Sequence, residues 1–208
     1  MIEIKNLCKS FGDRVLFHDF SYMIEDGVFL MIKGKSGSGK TTLLNMLGGI
    51  ESFDSGDILI NGCSIKNKKY LNNYYKYEVG FLFQNFALIE SRSVKDNMEL
   101  IRKETRSEYD LTDSLKMVGM DGFIDTKVYK LSGGEQQRIA LARLIYKKCN
   151  IILADEPTGS LDKENAGKVM DILKMFNQNG KTIIMVTHDE DLLEYATRVI
   201  DIDLLKRE

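Results

Sequence analysis

Residues 34–41 read GKSGSGKT, and no other stretch of the chain restricts its fold so strongly. A short apolar run, VFLMIK at 28–33, precedes it. The segment KTTLLNML at 40–47 follows, with Leu43, Leu44 and Leu47 at helical spacing. A strand, a glycine-rich loop and a helix in immediate succession make the unit that wraps backbone N–H groups around phosphate. The expected cradle runs from Gly34 through Lys35, Ser36, Gly37, Ser38 and Gly39 to Lys40, Thr41 and Thr42. In such a cradle Lys40 meets the β- and γ-phosphates of a nucleotide, and Thr41 offers its hydroxyl to Mg²⁺. A chance glycine turn ahead of a helix is the bland alternative; the flanking strand and helix weigh against it.

Two further apolar runs, IILA at 151–154 and TIIMV at 182–186, are short, rich in branched residues and preceded by helical patterns. That alternation predicts an α/β fold with a buried parallel sheet. The first part of the chain differs. Strand-like pieces at 1–7, 22–24 and 57–61 are separated by turn residues and predict an N-terminal antiparallel sheet beside the parallel one. From about 85 to 130 the sequence is polar and helical in composition (VKDNMELIRKE, LTDSLKMVGM), so an inserted helical subdomain is expected over roughly 85–150. At 208 residues with 43% hydrophobic content, one domain spanning 1–208 can bury a sizeable core.

A formal net charge of −2 excludes the basic footprint of a nucleic-acid binder. Glu3 and Lys5 interrupt the stretch that a signal peptide would need, and no run approaches the ~18 apolar residues of a membrane span, so a soluble, cytoplasmic chain is expected. Cys8, Cys63 and Cys149 are odd in number and lack metal-type spacing, which suits a reducing compartment. With only His18 and His188 available, a histidine-rich metal site is not expected.

The run IILADE at 151–156 ends a strand in two carboxylates, a placement that suits a metal-proximal Asp155 and a water-activating Glu156. A strand followed by a solvated acidic turn is the plain alternative. Pro157, the single proline, is expected to bias Glu156 towards extended backbone. At 131–138, LSGGEQQR opens a second helix with Ser132, Gly133, Gly134 and Glu135. By physics alone this is a serine-capped amphipathic helix with an anion-receptive end.

The eight residues LSGGEQQR also resemble the signature of ABC (ATP-binding cassette) nucleotide-binding subunits, and the motifs around them stand in that family's order. The resemblance implies a phosphate-loop NTPase core with an antiparallel β-subdomain, and ATP hydrolysis with Mg²⁺. Phe11 matches the family's adenine-stacking aromatic, and Gln84 in FLFQNF matches the glutamine that reaches Mg²⁺ and the attacking water. Ser160, Leu161 and Asp162 resemble the loop that crosses the dimer interface, and His188 in VTHDE resembles the switch histidine at the γ-phosphate. It further implies a homodimer, head to tail and dependent on ATP, docked on a polytopic membrane permease at the inner face of the cell membrane.

Within the family, SGSGKTTLLNMLGGIE and EPTGSLD are similar to the MacB-like, lipoprotein-release-like and FtsE-like group, including bacteriocin-type exporters. An exporter ATPase is the first expectation, and an FtsE-like regulator that moves no substrate is the second. The long coiled-coil or zinc insertions of DNA-repair ABC ATPases and the second cassette of the translational ones are not seen. After Asn97 the segment lacks the proline-containing stretch usual in the family, a departure on the partner-facing side.

Overall fold

The computed structural model describes residues 1–159 and 161–205. Strand β1 (Ile2–Phe11) turns at Gly12 into the antiparallel β2 (Arg14–Ile24). Next come β3 (Phe29–Lys33), helix α1 (Lys40–Leu47) and strand β4 (Ser55–Ile60), which returns to the free side of β1; β5 (Cys63–Ser64) completes a four-stranded sheet in the order β2-β1-β4-β5. The expected antiparallel sheet is therefore present, with strands longer than the sequence suggested. Register shifts interrupt the β1–β2 ladder, and Asn6 takes a left-handed φ of 47° beside one of them, which blurs the period-two pattern.

Helix α2 (Lys68–Asn73) continues into a π-helical turn, Tyr74–Glu78, that leads into β6 (Val79–Leu82). The Tyr74 hydroxyl donates to the carbonyl of Leu47 at 3.2 Å, and that of Tyr75 to the carbonyl of Gly49 at 2.7 Å. Both carbonyls lie at the C-terminal end of α1, where helix acceptors have no intrahelical partner. The insertion then carries α3 (Val94–Met98), α4 (Leu111–Met117) and α5 (Gly133–Tyr146). It contains less helix than its composition suggested: VKDNMELIRKE ends as helix at Met98, and single 3₁₀ turns connect the rest.

Strand β7 (Ile151–Asp155), α6 (Lys163–Gln178), β8 (Thr182–Val186), β9 (Arg198–Asp201) and α7 (Ile202–Leu205) finish the chain. The second sheet is wholly parallel, in the order β6-β7-β8-β3-β9. Both of its faces are buried, and alternate residues divide between two cores. Leu30, Ile32, Leu153 and Ile184 face α1 and the antiparallel sheet, packing with Ile2, Ile4, Leu43 and Leu47. Phe29, Met31, Ile152 and Ile183 face α5 and α6, packing with Ile139, Leu141, Val169 and Leu173. Burying each such side chain contributes about 1.5–3 kcal/mol. Helix α1 is thereby clamped between the sheets, and the carboxyl ends of β3, β7 and β8 open together at one edge.

Candidate nucleotide site

Helix α1 begins without a side-chain cap: Gly39 occupies the N-cap position at φ 94°, and no acidic residue stands in the first turn. By contrast, Ser93, Asp110, Ser132 and Asp162 cap α3, α4, α5 and α6 with their own oxygens. The N–H groups and positive dipole end of α1 are thus left to an external anion. Gly34 is required for a second reason, because a Cβ there would come 2.8 Å from Ile202 Cγ2. The ammonium of Lys40 curls over the loop and donates to the carbonyls of Gly34 and Lys35 at 2.8 and 3.0 Å. Ser38 N donates to Lys35 O at 3.1 Å and closes the turn.

Ser36, Gly37, Gly39, Lys40, Thr41 and Thr42 line a cleft of about 490 Å³, shared with Phe11, Arg14 and Glu156. That volume falls within the usual range for small-molecule sites. Gly34 and Lys35 lie on the far side of the loop, in a neighbouring cavity with His188. Phe11 is 50% exposed at the end of β1. Lys9 Nζ sits 4.5 Å from its ring centroid and pairs with Glu51 at 2.6 Å, which fixes the ring from beneath.

The hydroxyl of Thr41 donates to Asp155 Oδ1 at 3.0 Å. Burial is the larger influence on the Asp155 carboxyl and pushes it above its ordinary value, against the lowering effect of that hydrogen bond. Gln84, exposed after β6, shares a cavity with Asp155. A hydroxyl, a carboxylate and an amide oxygen make a hard oxygen donor set of the kind Mg²⁺ takes.

Glu156 departs from the extended backbone expected of a residue before proline, since its φ is +48°. Proline disfavours the right-handed helical well, and the left-handed well also avoids that region. The Glu156 N–H still donates to Val186 O at 2.9 Å, extending the β7–β8 ladder, and its carbonyl then accepts from Gly159 N at 3.2 Å. Such a conformation costs of order 1–3 kcal/mol for a residue with a side chain and is concentrated at functional sites. It brings the Glu156 carboxylate into direct contact with His188 Nδ1, although His188 is itself 71% exposed in its side chain.

The structure does not bring Ser132, Gly133, Gly134 or Glu135 into the cleft. They form the start of α5, where Ser132 Oγ accepts from Glu135 N at 3.3 Å and the Glu135 carboxylate accepts from Ser132 N and Oγ at 2.7 and 2.9 Å. These bonds, the backbone one first, hold the Glu135 carboxyl below its usual value. Asp162 caps α6, accepting from Asn165 N and Nδ2 at 2.9 and 2.6 Å, and Asn165 Oδ1 accepts from Arg138 of α5 at 2.6 Å. Ser160 lies outside the described residues. Sequence reasoning missed Arg14, which donates to Gly37 O, and Asp203, which accepts from Lys35 N at 2.7 Å. Neither carries a spacing signal; only the fold brings them to the loop.

Comparison with known proteins gives the family. A sequence profile described as ABC transporter matches residues 17–159. The chain is 38% identical over 212 residues to the ABC transporter ATP-binding protein YxdL of Bacillus subtilis, covering 96% of this chain and 82% of that protein. It is 36% identical to the putative hemin import ATP-binding protein HrtA of Staphylococcus epidermidis, over 96% and 95%. It is also 36% identical to the macrolide export ATP-binding/permease protein MacB of Campylobacter jejuni, where it spans 97% of its own length but only 33% of that protein. Among solved structures, the dimeric ATP-binding cassette MJ0796 bound to ADP and Pi superposes with a TM-score of 0.86 at 32% identity, covering 97% of this chain and 94% of that one. Among the described residues no helix is long and apolar enough to cross a membrane. Phosphate loop, paired carboxylates and signature helix stand in one order on one fold, and the chain belongs to the ABC transporter family as an ATP-binding and ATP-hydrolysing subunit of the MacB-like group.

Proposed function

We propose that two copies of this chain work head to tail as the motor of an exporter, docked through a polytopic membrane permease on the inner face of the cell membrane. The observation that carries the head-to-tail pairing is the separation of the signature from the cleft: Ser132–Glu135 contribute nothing to the wall that holds Lys40 and Thr41. In a head-to-tail pair, the α5 N-terminus of one copy faces the phosphate loop of the other and completes its site. Support also comes from the dimeric form of the related cassette and from the export named for MacB.

The chain's own groups suggest the chemistry. Phe11 stacks on the base, while Lys40 and the loop amides of Ser36–Thr42 hold the phosphates. Glu156 accepts a proton from water as its oxygen bonds to the γ-phosphorus. The bond to the β-bridging oxygen then breaks, and ADP and phosphate leave. His188 touches Glu156, and with nucleotide bound it would hold that carboxylate in place and contact the γ-phosphate. Thr41, Asp155 and Gln84 would hold Mg²⁺, which would supply charge neutralisation at the phosphates.

Mixed mutants test the shared site. Lys40→Ala and Ser132→Arg should each be inactive alone, because every site in either homodimer is damaged. In the mixture one site pairs the intact loop of the Ser132 variant with the intact signature of the Lys40 variant, so ATPase activity or ATP-dependent heterodimers should reappear. Two folded proteins that show neither would mean that Ser132 serves its own chain.

A further inference from the structure

We propose that Arg143 is a positioning residue for turnover: its guanidinium clasps the left-handed turn at Phe86–Ala87 and thereby fixes where Gln84 stands beside Asp155. The inference rests on the reading of Gln84 given above.

Phe86 and Ala87 have φ of 61° and 48°, two successive residues with side chains in a region that glycine favours. Local hydrogen bonds are short-range ones, Phe86 N to Phe83 O at 3.1 Å and Ala87 N to Asn85 O at 2.6 Å. The Phe86 ring packs against the core, and the turn's carbonyls are held by Arg143, whose Nη1 donates to Ala87 O at 2.7 Å and Nη2 to Phe86 O at 3.1 Å. Among the described residues no carboxylate pairs with Arg143. The two carbonyls are its partners, and they match the planar fork of a guanidinium.

The turn follows β6 of the parallel sheet, whereas Arg143 belongs to α5 of the helical insertion. The Phe86 ring also stands beside the start of the same helix, 3.8 Å from where a Cβ on Gly133 would lie. The Gln84 turn is therefore attached to α5 through Arg143, with Phe86 lying alongside the start of that helix. Because a helix moves as a rod, a shift of the signature end carries the turn, and with it Gln84, relative to Asp155. Misplacement of a water- or metal-orienting group slows the reaction while leaving nucleotide affinity, which resides in the phosphate loop and Phe11, largely intact.

The test is a double-mutant cycle on the full chain, reading kcat, ATP affinity and Tm for Arg143→Lys, Gln84→Ala and the double variant. Arg143→Lys keeps the charge but offers one point contact in place of two, and should lower kcat by about tenfold with ATP affinity within about twofold. The double variant should be no slower than Gln84→Ala alone. Ala87→Val, at an exposed position, attacks the turn from its other side because a β-branched residue resists positive φ. It should reproduce the kcat loss even if Arg143→Lys fails to fold. Losses that multiply across the cycle, or an unchanged kcat in folded Arg143→Lys, overturn the proposal. An unchanged kcat in Gln84→Ala instead removes the reading of Gln84 on which it rests.

Discussion

Thr41 and Asp155 are joined by a 3.0 Å hydrogen bond that links the first turn of the phosphate helix to the last residue of β7. On the proposed Mg²⁺ role, nucleotide binding should need the Thr41 hydroxyl only when the cation is present. Thr41→Val, which keeps shape and removes the hydroxyl, is expected to leave ATP binding in EDTA unchanged and to weaken binding in Mg²⁺ by about tenfold. Calorimetric titration with and without Mg²⁺ checks this; an unaltered Mg²⁺ effect would place the ion elsewhere.

Glu156 combines a left-handed backbone with a carboxylate against His188. Glu156→Gln retains the shape and loses the base, so ATP should still bind while steady-state hydrolysis falls by about 100-fold or more. The uncleaved nucleotide should trap a dimer visible by size-exclusion chromatography. Wild-type hydrolysis by the purified variant would show that another group takes the proton.

The capping box at α5 gives a pH signature. Hydrogen bonds from Ser132 hold the Glu135 carboxyl below its ordinary value in the folded chain. The folded protein therefore binds fewer protons than the unfolded one in the acid range, and the stabilisation is complete above the ordinary carboxylate range and lost as pH falls through the folded value. The Tm gap between wild type and Glu135→Gln should be open at pH 7 and close towards pH 3. A gap that is the same across thermal melts at every pH would make it a packing effect.

Phe11 is exposed and lines the cleft, and on the proposed stacking it offers a base an aromatic surface that does not distinguish purines by hydrogen bonding. ATP and GTP should bind within about tenfold of each other, and Phe11→Ala should weaken both by a similar factor of about ten or more. Direct titration of both nucleotides decides it; strong rejection of GTP by the wild-type chain would show that the base is read by polar groups.

Much of this was legible in the sequence where a local rule operates alone. The loop at 34–41, the strand at 182–186 and the carboxylate pair at 155–156 stand where spacing placed them. β6 and β9 are four residues each and flank the sheet, too short for periodicity to register. The backbone of Glu156 departs from the expectation because proline restricts the preceding residue without choosing between the remaining wells; its N–H is held by Val186, on a strand thirty positions on, and its carbonyl by Gly159, partners that no local rule supplies. Arg14, Asp203 and Arg143 meet backbone carbonyls or amides of distant loops, and no residue pattern encodes such partners.

The aromatic ring at Phe11 and the phosphate loop belong to different sheets, and no strand ladder joins them. A nucleotide whose base rests on one and whose phosphates rest on the other is a bivalent ligand held by a single molecule. Adenosine alone would grip the antiparallel sheet and inorganic phosphate the parallel one, each weakly, while the intact nucleotide gains the effective concentration that the sugar linker provides. On that pose the affinity of the chain for ATP would also measure the spacing between its two sheets, so a small slide of one against the other would release the ligand without altering any group that touches it.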